Sequence, residues 1–134
     1  MAIAWRENYE IGIKQVDAQH KELFQKINSL LDACTNHKGR EEVFDTIKFL
    51  EEYVIKHFTE EEKLQREYCY PGYVRHKVTH EQFTRDFNEL KNKLQQDGAT
   101  LQFVMLVNKV VVEWIITHIT SVDKEFGVFV SEKK

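Results

Sequence analysis

Two pairs of metal-binding residue types flank a turn near the middle of this 134-residue chain. His57 and Glu61 form the first pair, and His76 and His80 form the second, each pair with a spacing of four residues. On an α-helix, residues four apart lie on one face, one turn above the other. Tyr70-Pro71-Gly72 lies between the pairs and predicts a type II turn that ends a helix. Two helices folded back at this turn would direct four ligands to one place.

Apolar residues recur every three or four positions in four segments, which is the pattern of amphipathic helices. We predict helices over about 17–36, 40–68, 73–96 and 100–119, with an N-terminal arm over 1–16 and a short C-terminal tail. Asp17 is the predicted N-cap of the first helix, and Leu101 is the first buried residue predicted for the fourth. The pattern is typical of an all-α protein, an antiparallel up-down-up-down four-helix bundle forming one domain over 1–134.

Composition narrows the class of protein. The net charge is −3 with both signs interspersed, so the sequence has no basic stripe of the kind that binds nucleic acid. The longest apolar run, Val110 to Ile116, is interrupted by Glu113 and is too short to span a bilayer. The charged N-terminus is unlike a signal peptide, and two cysteines make no disulfide framework. We therefore expect a cytoplasmic protein with neither nucleic acid nor membrane as a partner. We also expect a monomer, although none of these features determines self-association.

Five of the six histidines fall on the apolar faces of the predicted helices: His20, His57, His76, His80 and His118. In an up-down-up-down bundle, the starts of helices one and three lie at the same end as the ends of helices two and four, so these histidines share one layer. Glu61 lies on the same face, where a carboxylate is costly unless it is paired or binds a metal. Asp123 follows His118 by five residues, and we expect it to turn inward just beyond the helix. His37 is expected in the first loop, away from the layer.

Five imidazoles and two carboxylates are too many ligands for one ion, so two ions are expected. We expect the buried imidazoles to be neutral, because desolvation and mutual repulsion lower their pKa and neutral imidazole binds metal. Iron is the redox-active metal that suits these donors, and bridging carboxylates would leave one position open for a small ligand. A single histidine on an apolar face is usually an ordinary core residue; the convergence of five favours a metal site.

Several neighbouring residues are predicted to be structural. Glu60 and Glu62 flank Glu61 and are expected to point to solvent. Cys34 is predicted to be a small core residue and Cys69 a loop thiol. An apolar set is predicted to form the core and to wall the site: Phe24, Phe58, Trp114, Ile115 and Ile119.

Four motifs resemble the hemerythrin family over nearly the whole chain, and within it the single-domain bacterial form. The motifs are Gly12-Ile13 with Val16-Asp17-Ala18-Gln19-His20-Lys21; His57-Phe58 with Glu61-Glu62; Tyr70-Pro71 with His76, His80 and Phe83; and Trp114 with His118-Ile119 and Asp123-Lys124. One departure is Gln65, which stands where the family often has a methionine. The ligand set is intact despite this departure.

The resemblance implies a non-haem di-iron centre, in which two iron ions are bridged by an oxo or hydroxo group and by Glu61 and Asp123. It implies that His76, His80 and His118 bind one iron, and that His20 and His57 bind the other, which keeps the open position. The implied function is reversible binding of dioxygen by a carrier, store or scavenger, and we expect no enzymatic activity. A peroxide or nitric oxide reductase, an oxygen-sensing module and a bundle that binds zinc adventitiously remain alternatives.

Overall fold

A computed structural model of the chain describes residues 3–36 and 39–133. These residues form four long helices, α1 (Lys14–Thr35), α2 (Arg40–Glu67), α3 (Tyr73–Asp97) and α4 (Leu101–Lys133), with a short 3-10 turn at Glu7–Tyr9. Consecutive helices are neighbours and α4 packs back against α1. The predicted all-α four-helix bundle is confirmed. The predicted loop position of His37 lies outside the described residues.

Helix α4 differs most from its prediction. The sequence pattern predicts an end near residue 119 and a tail that contains Asp123, but the helix continues to Lys133. Two stretches of π-helix, Asn108–Glu113 and Ile119–Asp123, interrupt its α-helical geometry. In a regular α-helix, residues five apart point about 140° away from each other. The i→i+5 bonding of the second π stretch brings them nearly into line, so Asp123 faces the bundle interior together with His118.

The first turn of α4 contradicts the predicted burial of Leu101, which is 76% exposed. Thr100 caps the helix by accepting a hydrogen bond from the backbone N–H of Phe103. That start leaves Leu101 at the rim of the bundle, while Phe103 is fully buried two residues later. The π stretches then change which residues face inward farther along the helix.

The length of α4 also bears on whether this helix could cross a membrane. The apolar run Val110–Ile116 is too short to span a bilayer, but α4 as a whole is long and apolar enough to cross a membrane by length and composition. The core helix of a soluble protein passes the same test. Here α4 carries two buried ionisable residues, His118 and Asp123, inside a bundle that the other three helices complete.

Asp17 ties the N-terminal arm to the bundle. It was predicted to cap α1, but the helix begins at Lys14 and Asp17 lies in its first turn. Its buried carboxylate accepts hydrogen bonds from the backbone N–H groups of Ile11 (2.8 Å) and Gly12 (3.2 Å). The arm then crosses α4 at Gly127, where an added Cβ would lie 2.0 Å from the carbonyl oxygen of Ile11. Glycine therefore permits the arm to lie directly on α4.

The connection between α2 and α3 contains a type I turn and not the predicted type II turn. Gly72 has φ −85° and ψ 5°, which are the values of the third residue of a type I turn. The backbone N–H of Tyr73 donates to the carbonyl oxygen of Tyr70 at 3.2 Å. The residue with left-handed backbone is Cys69, at φ 53°. Because the chain reverses already at Cys69, Gly72 adopts right-handed backbone and leads directly into α3.

Candidate metal centre

All seven predicted ligand residues converge in one buried layer. Each is at most 6% exposed, although five are histidines and two are acids. Their donor atoms fall into two groups, each compact enough to hold an ion. The three-histidine group contains His76, His80 and His118, and the two-histidine group contains His20 and His57. Glu61 and Asp123 belong to both groups.

Ring nitrogens and carboxylate oxygens alternate within the three-histidine group. The Nε2 atom of His118 lies 3.1 Å from that of His76 and 3.3 Å from that of His80. Glu61 Oε1 lies 3.1 Å from His76 Nε2 and 3.2 Å from His80 Nε2. Asp123 Oδ1 lies 2.8 Å from His76 Nε2 and 3.0 Å from His118 Nε2. All three rings thus present the same nitrogen to one point.

The second oxygen of Asp123 serves the two-histidine group. Asp123 Oδ2 lies 3.1 Å from His20 Nε2, and His20 Nε2 lies 3.1 Å from His57 Nε2. One carboxylate therefore faces histidines of both groups with different oxygen atoms. This is the arrangement of a bridging ligand.

These spacings fit a coordination sphere better than a hydrogen-bond network. Nitrogen and oxygen ligands about 2.0–2.2 Å from an ion, at right angles to each other, are about 3 Å apart. Both oxygens of Glu61 and the Oδ1 atom of Asp123 are buried and lack a hydrogen bond of acceptable geometry among the described residues. Because buried polar atoms are normally satisfied, several unsatisfied oxygens that face the inward ring nitrogens indicate a place for a cation. The donor set fits two metal ions.

The charges of the metal-free layer differ from the prediction that all buried imidazoles are neutral. Burial does lower the pKa of His57, to about 4. Burial also opposes protonation of His76, but the carboxylates of Asp123 and Glu61 outweigh it and raise its pKa to about 9. The pKa values of His20 and His80 are raised in the same way, by Asp123 and by Glu61 respectively. Desolvation and mutual repulsion of the imidazoles predict lower pKa values, but the charges of Glu61 and Asp123 in the same layer reverse the change for His76, His20 and His80.

The acids respond in the opposite direction. Burial and the charge of Asp123 raise the pKa of Glu61, but the ring nitrogens of His76 and His80 outweigh both and leave it at about 2. The pKa of Asp123 is also held well below its ordinary value, by His118, His20 and His76 against desolvation. In the metal-free chain the histidine protons balance the carboxylates. Metal ions would have to displace those protons, so binding must weaken in acid.

Polar side chains outside the layer contact the outer nitrogens of three of the rings, and the sequence pattern does not predict these contacts. The side-chain oxygen Oε1 of Gln19 lies 2.7 Å from His57 Nδ1, and the side-chain nitrogen Nε2 of Gln19 donates a hydrogen bond to Glu60. Glu62 Oε2 lies 2.8 Å from His80 Nδ1. Glu60 and Glu62 were predicted to point to solvent; Glu62 instead contacts the ring of His80, and Glu60 accepts a hydrogen bond from Gln19. Their position at the border of the apolar face of α2 is the only sequence signal that marks them.

Gln65 holds a third ring. Its side chain is fully buried, with its Nε2 atom 2.7 Å from His76 Nδ1. Contacts of this kind fix the tautomer and orientation of metal-binding histidines.

Aromatic rings cover the layer, as predicted for the apolar set. Phe58 stacks on the ring of His80 with centroids 3.8 Å apart, and Trp114 stacks on His118 at 4.3 Å. Phe58, like Phe24, Ile115 and Ile119, is buried, whereas Trp114 is partly exposed. This wall reduces access of water to the layer.

Residues 11–129 match the model of the hemerythrin HHE cation binding domain. The chain belongs to the hemerythrin family. A bacteriohemerythrin from Clostridium acetobutylicum is 29% identical over 128 residues, covering 91% of this chain and 96% of that protein. Myohemerythrin from Theromyzon tessulatum is 26% identical over 124 residues, covering 91% and 88% respectively.

Solved structures agree with the sequence relatives. A crystal structure of wild-type hemerythrin superposes with a TM-score of 0.85 at 26% identity, covering 98% of this chain and 99% of that one. A crystal structure of a hemerythrin mutant gives the same TM-score at 27% identity. Myohemerythrin is itself a standard example of the up-down-up-down bundle. The hemerythrin family binds non-haem iron, and the His/Glu/Asp cluster of this chain could hold metal.

Proposed function

We propose that this chain binds dioxygen reversibly at a di-iron centre formed by the two ligand groups. The observation that supports this most directly is that Glu61 and Asp123 belong to both groups. Shared carboxylates fix two ions side by side, which separate mononuclear sites would not require. In this proposal His76, His80 and His118 would hold one iron, His20 and His57 would hold the other, and Glu61 and Asp123 would be shared by both.

The centre would supply the electrons that dioxygen takes up on binding and returns on release. The residues of the chain control what else happens there. The two-histidine group has one ring fewer than the other group, so an ion held there would have fewer protein ligands and room for a small molecule. The five imidazoles would be neutral ligands once metal had displaced their protons. The protein would then contribute only two anionic ligands, Glu61 and Asp123, to the centre. Few anionic ligands stabilise high-valent iron weakly, which favours reversible binding over oxidation of a substrate.

Exclusion of water is the second contribution of the chain. Phe58 and Trp114 cover the rings of His80 and His118. Water and free protons cross such an apolar wall slowly. Irreversible oxidation of the centre, which needs them, is therefore slowed. A carrier, store or scavenger of dioxygen needs this protection.

The test is anaerobic loading with ferrous iron, followed by iron analysis and absorption spectra under argon and in air. We expect two irons per chain and an absorption band that appears in air, disappears under argon and returns in air. His118→Ala should lower the iron content, whereas His37→Ala, which the sequence places away from the buried faces, should leave it unchanged. Immediate irreversible oxidation would contradict the carrier function. Steady turnover of peroxide or nitric oxide with a reductant would favour an enzyme, and equal iron content in both variants would refute the ligand assignment.

A further inference from the structure

Gln65 is a fully buried polar residue in direct contact with the metal layer. It lies one helical turn after Glu61 on α2 and faces α3. Its amide nitrogen approaches His76 Nδ1 at 2.7 Å, and its amide oxygen has no hydrogen-bond partner among the described residues. A buried unpaired carbonyl oxygen is uncommon and requires a physical explanation.

Metal binding at His76 supplies that explanation. A histidine that binds a metal through Nε2 carries its remaining proton on Nδ1, so Nδ1 becomes a donor. The neighbour of Nδ1 must then be an acceptor, and the unpaired Oε1 atom of Gln65 is the acceptor within reach. A half-turn of the amide exchanges its nitrogen and oxygen, because the two ends have nearly the same shape.

We propose that Gln65 is a positioning residue for the metal centre: its Oε1 atom accepts the Nδ1–H of His76 and fixes Nε2 as the metal-binding nitrogen. The proposal rests on the proposed function, because it assumes that Nε2 of His76 binds a metal. The equivalent acceptors for two other rings are Glu62, beside His80, and Gln19, beside His57. Gln65 thus completes the set of acceptors that orients one ring on α2 and both rings on α3.

Two substitutions separate this role from packing. Gln65→Met keeps a flexible side chain of similar volume but removes the acceptor. Gln65→Glu keeps the shape and supplies a stronger acceptor, since a carboxylate partner increases the basicity of a metal-binding histidine. Gln96→Met makes the same chemical change at an exposed position near the far end of α3 and is the matched control.

The experiment measures the ferrous iron affinity of each variant anaerobically by competition with a chromophoric chelator, and the reduction potential of each loaded protein. Loss of an outer partner of a metal-binding histidine typically lowers metal affinity about 10–100-fold. We expect a loss in that range for Gln65→Met, wild-type or tighter binding for Gln65→Glu, and no change for Gln96→Met. The potential should fall in Gln65→Glu relative to Gln65→Met, because a more basic His76 favours ferric iron.

The outcomes distinguish the two proposals. If the wild-type chain takes up no iron, the proposed function fails and the role of Gln65 fails with it. If the wild-type chain takes up iron and Gln65→Met has the same affinity and potential, only the role of Gln65 is overturned. If Gln65→Glu is as weak as Gln65→Met, the side chain fills space and does not accept a hydrogen bond, which also overturns the role. Thermal unfolding of the metal-free variants checks that each one is folded.

Discussion

Removal of the Asp17 carboxylate should loosen the arm that closes the metal-bearing end of the bundle. Asp17 is 8% exposed and accepts hydrogen bonds from the backbone N–H groups of Ile11 and Gly12. Hydrogen bonds to a charged group contribute about 1.5–3 kcal/mol each, and an unpaired buried N–H adds a penalty when its partner is removed. The Ile11 bond is short and buried, whereas the Gly12 bond is longer and partly exposed, so the second should contribute at the low end of this range.

Asp17→Ala should therefore lower the free energy of unfolding by about 3–5 kcal/mol, and Asp17→Asn, which keeps one acceptor, by about half as much. For a domain of this size, 1 kcal/mol corresponds to about 3–4 °C in the melting temperature, so Asp17→Ala should melt about 10–20 °C lower. The measurement is thermal and urea unfolding of the metal-free chain by circular dichroism. Asp45→Ala, at an exposed position on α2, is the control.

The same change should affect the metal centre. The arm residue Ile11 rests on Gly127, four residues beyond Asp123. A detached arm would admit water to that end of α4, so iron should be extracted by a chelator faster from Asp17→Ala than from Asp45→Ala. Equal melting temperatures and equal extraction rates in the two variants would show that the two hydrogen bonds do not hold the arm, and would refute the reasoning.

Three further predictions follow from the described contacts. Gly127→Ala should lower the melting temperature, because the new Cβ would lie 2.0 Å from the carbonyl oxygen of Ile11, whereas Gly39→Ala, with nothing within 4 Å, should change it little; equal melting would contradict the close crossing. Burial holds the pKa of His57 at about 4 in the folded metal-free chain against 6.5 in the unfolded chain, so the unfolded chain binds more protons between these values. The corresponding contribution to the free energy of unfolding, up to about 3 kcal/mol, is present above pH 6.5 and lost as pH falls to 4. Urea unfolding at pH 6.5 and pH 4 should show this loss in the wild type but not in His57→Gln. Asp123→Asn should reduce the iron content from two ions per chain to one or none, because its Oδ1 and Oδ2 atoms face different histidine groups and an amide nitrogen does not bind iron; full iron content by metal analysis would refute the bridging role.

Much of the fold and of the candidate site could be predicted from the sequence because the apolar residues and most candidate ligands recur with the period of an α-helix. The heptad spacing of His76, His80, Phe83 and Phe87 places these residues on one face of a helix, and all four are buried in α3. The positions of the five histidines near the starts or ends of their helices then determine that they share a layer. The same logic, which uses only helix geometry and short connections, brings the five histidines and Glu61 into two adjoining groups.

Tertiary structure decided what depends on departures from regular geometry or on neighbours distant in sequence. Asp123 faces inward because a π stretch changes the direction of side chains in α4, and no local sequence pattern fixes a π stretch. The raised pKa of His76 depends on acids brought from α2 and α4, so burial alone predicted the wrong sign. Glu62 and Gln65 orient rings on α3 only because α3 packs beside their side of α2. Helical periodicity in the sequence predicts most of the candidate metal ligands. The protonation and orientation of those side chains arise from contacts that exist only in the folded bundle.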